Sequence, residues 1–337
     1  MADMTAGPLL CPIADRSQVG EARRRVADLA GRSGLDDVPR DRLALIVNEL
    51  GSNLIKHGGG GDLIARALAE GRAIELLALD KGVGMPSVDR CFEDGYSTAG
   101  SAGTGLGAVR RLASLVDVYS RPGGTAIVAE VTAPEPPSSS PAGWQVGAVC
   151  LPKGGEDACG DAWSTSAESR ERLAVLVVDG LGHGAGAADA ADMAVRHFAP
   201  QPSRTPGVHL AILHEALRST RGAAAAVACI DRRSRTVTFA GVGNVTGAIV
   251  TPAASRQLVS MSGTLGHVAH RIREFTYAWS DDAVLVMHSD GLSGRWDLER
   301  YPGLIGRHPS LVAGVLFRDY HRDRDDVTVV AARVRPS

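Results

Sequence analysis

The sequence predicts a two-domain protein of mixed α/β (α+β) class, and three observations carry that expectation. The first is length, since 337 residues exceed one typical domain and allow two, each able to bury its own core. The second is APEPPSSSPAG at 133–143, dense in proline, serine and small residues between two apolar runs, which reads as a linker. The third is a change of pattern across that linker: helical and strand-like periodicities alternate before it, and β-branched runs dominate after it. The expected boundaries are 1–132 for the first domain, 133–143 for the linker and 144–337 for the second domain.

Composition narrows the function classes. The formal charge of -2, with no basic block, argues against nucleic acid or an anionic membrane as the principal partner and leaves catalysis or protein contact. Cys11, Cys91, Cys150, Cys159 and Cys229 are odd in number, scattered and without CxxC spacing, which fits reduced thiols in a cytoplasm. MADMTAGPLLCPIADR lacks the basic flank and apolar core of a signal peptide, and no apolar run reaches the roughly 18 residues of a membrane span. A soluble, cytoplasmic protein is expected.

In the first domain, SQVGEARRRVADLAGRSG (17–34) places Val19, Ala22, Val26 and Leu29 at intervals of three and four, the pattern of an amphipathic helix. DRLALIVNELGSNLIKHG (41–58) reads as a second helix buried through Leu43, Ile46, Val47, Leu50 and Leu54. AIELLALD then resembles a buried strand ending at Asp80. In the second domain RLAVLVV and AVLVM read as strands, and helices are expected near 185–198 and 206–220.

Three short motifs sit on the first domain's elements. Glu49 and Asn53 are four apart, so both lie on one face of the second helix. By themselves they read as an exposed polar pair. DKGVGM (80–85) puts a carboxylate at a strand end before two glycines that permit a tight turn near a ligand. GSAGTGLGAVRRLA (100–113) puts Gly103, Gly105 and Gly107 before a helix, where free backbone N–H groups can receive phosphate. Lys56 and His57 read as a solvated helix end whose positive charge suits the helix dipole.

Together and in this order, NELGSN, DKGVG and GTGLG resemble the N, G1 and G2 boxes of the GHKL (Bergerat-fold) ATPases, over almost the whole first domain. Within that superfamily, DGYSTAGSAGTGLGAVRRLA is similar to the switch-type serine kinases and anti-sigma factors of bacterial stress signalling. The resemblance implies a Bergerat α/β sandwich that binds ATP and Mg2+. Asn53 would bind the magnesium bridging the phosphates, and Asp80 would accept a hydrogen bond from the adenine amino group. Gly82 and Gly84 would shape the adenine side, and Gly103, Thr104, Gly105 and Gly107 would hold the phosphates. Glu49 would be the general base for a protein hydroxyl, in a reaction that needs mostly positioning and charge neutralisation.

The second domain nearly repeats itself, with VVDGLGHG at 177–184 and MHSDGLSG at 287–294. Each ends an apolar run on Asp-Gly-Leu, which delivers a carboxylate to the rim of a sheet. GGEDACGDAW (154–163) and RDRDDVTVV (322–330) add acidic positions that only folding can bring together. A single aspartate at a strand end is commonly a turn former or cap; several beside strands suit hard divalent cations, which take clustered oxygen ligands.

From GEDACGD to DDVTVV the arrangement resembles the PP2C (PPM) metal-dependent protein phosphatases, particularly the sporulation protein E type. The resemblance implies a PP2C-like α-β-β-α sandwich with two Mn2+ or Mg2+ ions. Asp161 and Asp179 would bridge or bind the metals, the Gly180 carbonyl would be a further ligand, and Asp290 and Asp325 would complete the shell. AGVGNV (240–245) falls where the family has a glycine-asparagine turn. Hydrolysis of phosphoserine or phosphothreonine would use water activated at the cations, with no phosphoenzyme.

Other residues are left outside the core sites. His183 stands four residues after Asp179, not two as in animal-type relatives, so the general-acid role proposed there is not carried over and a role in orienting the next helix is expected. Asp157 and Asp326 are expected behind the ligands or in solvent. His267 and His270 in GHVAH read as a surface pair without a third soft ligand. Cys159 and Cys229 read as structural thiols.

The functional expectation is a bifunctional partner-switching regulator that phosphorylates and dephosphorylates a small STAS-domain anti-sigma antagonist or stressosome-like protein, with a sigma factor as a further partner and neither nucleic acid nor membrane. The rival reading makes the first domain an ATP-gated binding module beside a working phosphatase. A third makes both sites sensors without turnover.

Overall fold

Two hydrophobic helical stripes and the apolar strands they cover organise the first unit of the chain. The computed structural model describes residues 7–68, 72–91, 105–133, 143–167, 169–198, 204–269 and 271–336. It divides into two compact units, Met1–Ser140 and Pro141–Ser337. The first contains β1 (Leu9–Ile13), α1 (Arg16–Arg32), α2 (Asp37–Gly58), β2 (Gly61–Leu68), β3 (Ala73–Leu79), α3 (Val88–Cys91), α4 (Gly105–Leu112), β4 (Leu115–Arg121) and β5 (Gly124–Thr132).

Helix α1 starts where Asp15 and Gln18 form a capping box: the Asp15 carboxylate accepts from the Ser17 and Gln18 amides at 2.8 and 3.2 Å, and Gln18 Oε1 accepts from the Asp15 amide at 3.1 Å. Such a cap satisfies amides that the helix itself leaves unpaired. Helix α2 stops at Gly59, whose φ of 69° is the left-handed conformation that glycine takes without a Cβ penalty. The expected stripes of both helices are buried, each large apolar side chain contributing roughly 1.5–3 kcal/mol. They pack on Leu63, Ala65, Ile74, Leu76, Ala78, Ile127 and Ala129 from one face of the sheet. That sheet is antiparallel throughout, in the order β1-β2-β3-β5-β4.

The second unit contains β6 (Trp144–Leu151), β7 (Asp161–Ala167), β8 (Arg172–Gly180), α5 (Ala185–Phe198), α6 (Pro206–Ala216), β9 (Ala223–Asp231), β10 (Thr236–Val242), β11 (Thr246–Val250), β12 (Ser255–Leu258), β13 (Phe275–Ala278), β14 (Val284–His288), α7 (Pro309–Tyr320) and β15 (Val327–Val334). They form two antiparallel sheets, β13-β10-β9-β8-β7 and β12-β11-β14-β15-β6. Strand β8 shows why both of its faces are apolar. Leu173, Val175 and Val177 join the core shared with the second sheet, whereas Ala174, Leu176 and Val178 join the core beneath α5 and α6. Helix α7 packs on β6 and β15, approaching so closely that a Cβ at Gly147 would collide with the Ser310 amide. The layers are therefore helix, sheet, sheet, helix, the α-β-β-α order expected for this half.

Some local expectations shift by a residue or two. Strand β8 does not stop before Asp179 but runs through it to Gly180, whereas β14 ends at His288, two residues short of Asp290. The helix expected over 206–220 is α-helical only to Ala216, and a 3-10 turn, Leu217–Ser219, follows. Among the described residues no helix is long and apolar enough to cross a membrane, which leaves β-barrels unaddressed.

Candidate functional site

In the first unit, one turn of α2 separates Glu49 from Asn53, and both are half-buried. Glu49 Oε2 lies 3.1 Å from where a Cβ on Gly105 would stand. The carboxylate thus faces the first residue of α4, and glycine there leaves room between the two helices. Gly107 is buried within the first turn of α4. Gly103 and Thr104 lie outside the described residues.

Asp80 follows β3 directly and is buried. Its Oδ1 accepts the Gly82 amide at 2.8 Å and the Thr125 amide at 3.1 Å, which fixes its carboxyl plane against the β4–β5 hairpin. Gly82 is pressed on the end of α2, where a Cβ would collide with the His57 carbonyl oxygen. Gly84 has φ 79° and faces the Arg121 carbonyl. The DKGVG segment is therefore shaped by contacts that admit no side chain at its two glycines.

In the second unit Asp161 and Asp179 are cross-strand partners at one end of the β7–β8 pair. Burial and the neighbouring Asp179 charge hold the Asp161 carboxyl well above the usual carboxylate range. Burial, then Asp290 and Asp325, push Asp179 up to about 7. Burial and Asp290 also raise Asp325. These mutual effects place Asp161, Asp179, Asp290 and Asp325 near one another, although the two nearest in sequence, Asp161 and Asp179, stand eighteen positions apart and meet only through strand pairing. No three of them gather single oxygens within 4.8 Å of one another.

The two Asp-Gly-Leu segments share a physical reason beyond the carboxylate. A Cβ at Gly180 would collide with the Ala187 carbonyl oxygen, and one at Gly291 with the Asp326 carbonyl oxygen. In each case glycine lets the backbone behind the aspartate touch a neighbouring segment. The Gly180 amide also donates to the Gly160 carbonyl at 2.9 Å, tying the turn after β8 to the one before Asp161.

Residues that sequence reasoning did not assign hold the aspartates in place. The Ser289 hydroxyl donates to Asp161 Oδ2 and accepts the Thr328 amide at 3.0 Å. Asn244 Nδ2 donates to Asp290 Oδ2 at 2.7 Å. Behind Ser289, buried His288 accepts from Trp296 Nε1 at 3.0 Å through Nε2 and pairs through Nδ1 with the Ser289 carbonyl at 2.7 Å. Burial lowers its pKa, so it stands as a neutral buttress. The position of Asn244 in AGVGNV and of Ser289 beside Asp290 was the available signal, but hydroxyl and amide side chains are too common for spacing to single them out.

The remaining positions divide. Asp326 is buried and accepts the Lys153 and Gly160 amides at 2.8 and 2.9 Å, so it clamps the loop before β7 rather than facing solvent. Asp157 is exposed. His183 Nδ1 pairs with Glu156 Oε1 at 2.8 Å, joining the loops that carry Asp179 and Asp161. His267 is exposed and contacts the Arg221 carbonyl at 2.9 Å, and His270 lies outside the described residues. Lys56 and His57 are exposed at the end of α2.

A cluster of carboxyl groups that raise one another's pKa fits cations, because positive charge would relieve both the burial and the repulsion. Hard oxygen donors of this kind suit Mg2+ or Mn2+.

Comparison with known proteins finds one family match within each unit. Residues 13–131 match the family described as Histidine kinase-like ATPase domain, and residues 169–335 match Stage II sporulation protein E (SpoIIE). The serine/threonine-protein kinase RsbT of Bacillus subtilis (strain 168) is 32% identical over 93 residues, 27% of this chain and 70% of RsbT. The phosphoserine phosphatase RsbX of the same organism is 28% identical over 145 residues, 42% of this chain and 72% of RsbX. A solved chain described under "The bacterial stressosome: a modular system that has been adapted to control secondary messenger signaling" is 29% identical with a TM-score of 0.52, covering 56% of this chain and 99% of that one. RsbX in complex with magnesium shares the fold at 22% identity and a TM-score of 0.52, over 58% of this chain and 98% of that one.

Proposed function

The chain belongs to the histidine kinase-like ATPase family through its first unit and to the SpoIIE family of PP2C-type phosphatases through its second, and from that premise we propose a bifunctional partner switch. In this reading the first unit transfers phosphate from ATP to a serine or threonine of a STAS-type regulatory protein, and the second removes it. The observation that carries it is the facing pair Asp161 and Asp179, whose carboxyl groups are held up by burial and by neighbouring charge at one rim. Bound cations would relieve that strain.

Asp161, Asp179, Asp290 and Asp325, with the Gly180 carbonyl, would hold two Mn2+ or Mg2+ ions. When bound, the ions supply activated water and neutralise phosphate charge. The protein's own part is positional. Ser289 fixes the Asp161 carboxylate, Asn244 fixes that of Asp290, and Asp326 holds the loop that presents Asp161. In the first unit Asn53 would hold Mg2+ on ATP, Asp80 with Gly82 and Gly84 would receive adenine, and Gly103 to Gly107 would receive the phosphates. Glu49, which faces Gly105, would take the proton from the attacking hydroxyl.

The kinase relative and the stressosome-derived chain support the choice of a bacterial stress-signalling partner. The test is transfer of labelled phosphate from ATP to a purified STAS protein by wild type and Asp290→Asn, with ATP binding measured separately. Label that accumulates mainly in the variant is the expected result. No label in either, with ATP bound and the partner associated, would overturn transfer in favour of an ATP-gated binding module. Glu49→Ala should keep ATP and lose transfer; an unchanged rate removes Glu49 from the reaction.

A further inference from the structure

Two thiols meet beside the candidate metal centre. Cys150 stands on β6 opposite Thr328 of β15, and Cys159 lies on the loop that leads into Asp161. Their Sγ atoms are 3.8 Å apart, and the Cys150 sulfur is also 3.6 Å from the Asp161 carbonyl oxygen. Both residues are half-buried. Cys11 belongs to the first unit, and buried Cys229 contacts the Arg204 carbonyl instead.

A disulfide bond would need the sulfurs to close by about 1.8 Å, to a bonded length near 2.05 Å from the 3.8 Å observed. The surroundings decide where that movement goes. Asp326 grips the loop at the Lys153 and Gly160 amides. A Cβ at Gly160 would stand only 2.7 Å from both Ala187 Cβ and Asp326 Oδ2, so Gly160 is closely surrounded. Because the Cys150 sulfur also contacts the Asp161 carbonyl oxygen at 3.6 Å, drawing it toward Cys159 disturbs the backbone that carries Asp161.

We propose that Cys150 and Cys159 form a reversible thiol–disulfide modification site whose closure displaces Asp161 and weakens divalent-cation binding in the second unit. The oxidant is a peroxide. One thiol attacks it to give a sulfenic acid and water, and the second thiol then displaces that hydroxyl group to give the disulfide and a second water. Two electrons leave the sulfurs and reduce hydrogen peroxide, and a dithiol reductant reverses the step. Exchange between thiol and disulfide as a signal, rather than as a staple, is the usual role of such pairs in a reducing compartment. The effect on turnover rests on the phosphatase reading; the crosslink itself does not.

The test treats the full chain, stripped of metal by chelation, with hydrogen peroxide, desalts it and measures three things. Intact mass and non-reducing peptide mapping read the crosslink, titration with Mn2+ alone reads the site, and hydrolysis of an aryl phosphate reads turnover. The expected result is loss of two hydrogens, a peptide joining 150 to 159, and Mn2+ affinity about 10-fold lower, all restored by dithiothreitol. Cys150→Ser and Cys159→Ser should each resist the change in mass and affinity. No 150–159 crosslink, or a crosslink that leaves Mn2+ affinity unchanged, overturns the proposal. Absence of hydrolysis by the reduced protein would count against the phosphatase reading, and the crosslink and Mn2+ titration would still decide the disulfide.

Discussion

The two units present their acidic groups in opposite ways. In the first, Asp80 is met by the Gly82 and Thr125 amides, and Glu49 is set against the glycine that opens α4. In the second, Asp161, Asp179 and Asp325 are all pushed upward, by burial first and then by one another or by Asp290. Backbone donors complete the first arrangement as the chain folds. The second keeps an electrostatic debt that the fold does not settle and that cations would. The difference teaches that the first set of acidic groups is held by shape and backbone contact, whereas the second is left under mutual charge.

The sharpest way to break this contrast is to remove one group from each side. Asp290→Asn is expected to reduce Mn2+-dependent hydrolysis by more than roughly 100-fold, beyond the loss typical of a supporting residue, with ATP binding unchanged. Asn53→Ala should weaken ATP binding and leave hydrolysis alone. Steady-state hydrolysis and ATP titration of both variants would show it, and a variant that lost both functions would mean the sites are not separable.

A smaller effect is expected at Asn244, whose amide holds Asp290. Asn244→Ala should weaken Mn2+ binding by about 10- to 100-fold, read by equilibrium dialysis. Unchanged affinity would show that Asp290 needs no such support.

Electrostatic debt should also appear as pH-dependent stability. Asp179 is raised from 3.8 to about 7, so the folded protein keeps this proton over a range where the unfolded chain has lost it. Its favourable contribution is complete below about pH 3.8 and disappears as pH rises through about 7, an effect of a few kcal/mol. Metal-free protein should therefore melt at a higher temperature near pH 5.5 than near pH 8, and Asp179→Asn should flatten that trend. Thermal melts with chelator across this range would test it; a melting temperature that falls equally in both proteins on acidification would sink the idea.

The smallest expected change tests the independence of the units. Asp15→Ala removes the α1 cap and should cost about 1 kcal/mol of stability, seen in denaturant unfolding, with no change in Mn2+ affinity. A change in Mn2+ affinity would mean that the capped helix of the first unit influences the carboxylates of the second.

Much of this was legible in the chain. The stripes of α1 and α2 could be read because a helix repeats its buried face every three or four residues, and each of Val19, Ala22, Val26 and Leu29 is indeed buried. The four aspartates stood out because each follows or precedes an apolar run. Ser289, Asn244 and His288 did not, since their partners lie on other strands: Ser289 reaches Asp161 across 128 positions and Asn244 reaches Asp290 across 46. Asp326 shows the same limit. Its neighbour Asp325 is exposed at the rim while it turns inward to clamp two amides, and adjacency in sequence contains nothing that separates the two.

By itself, then, the sequence determined the division into two mixed α/β halves, the buried faces of the helices and strands, and the acidic residues available for chemistry. These depend on local periodicity and residue type, which act over a few positions. Tertiary structure alone decided which carboxylates face each other, which are pinned by Ser289 and Asn244, and that Cys150 lies within 3.8 Å of Cys159. Those outcomes depend on strand register and loop contact, where burial and like charge at short range act between residues that the chain keeps far apart.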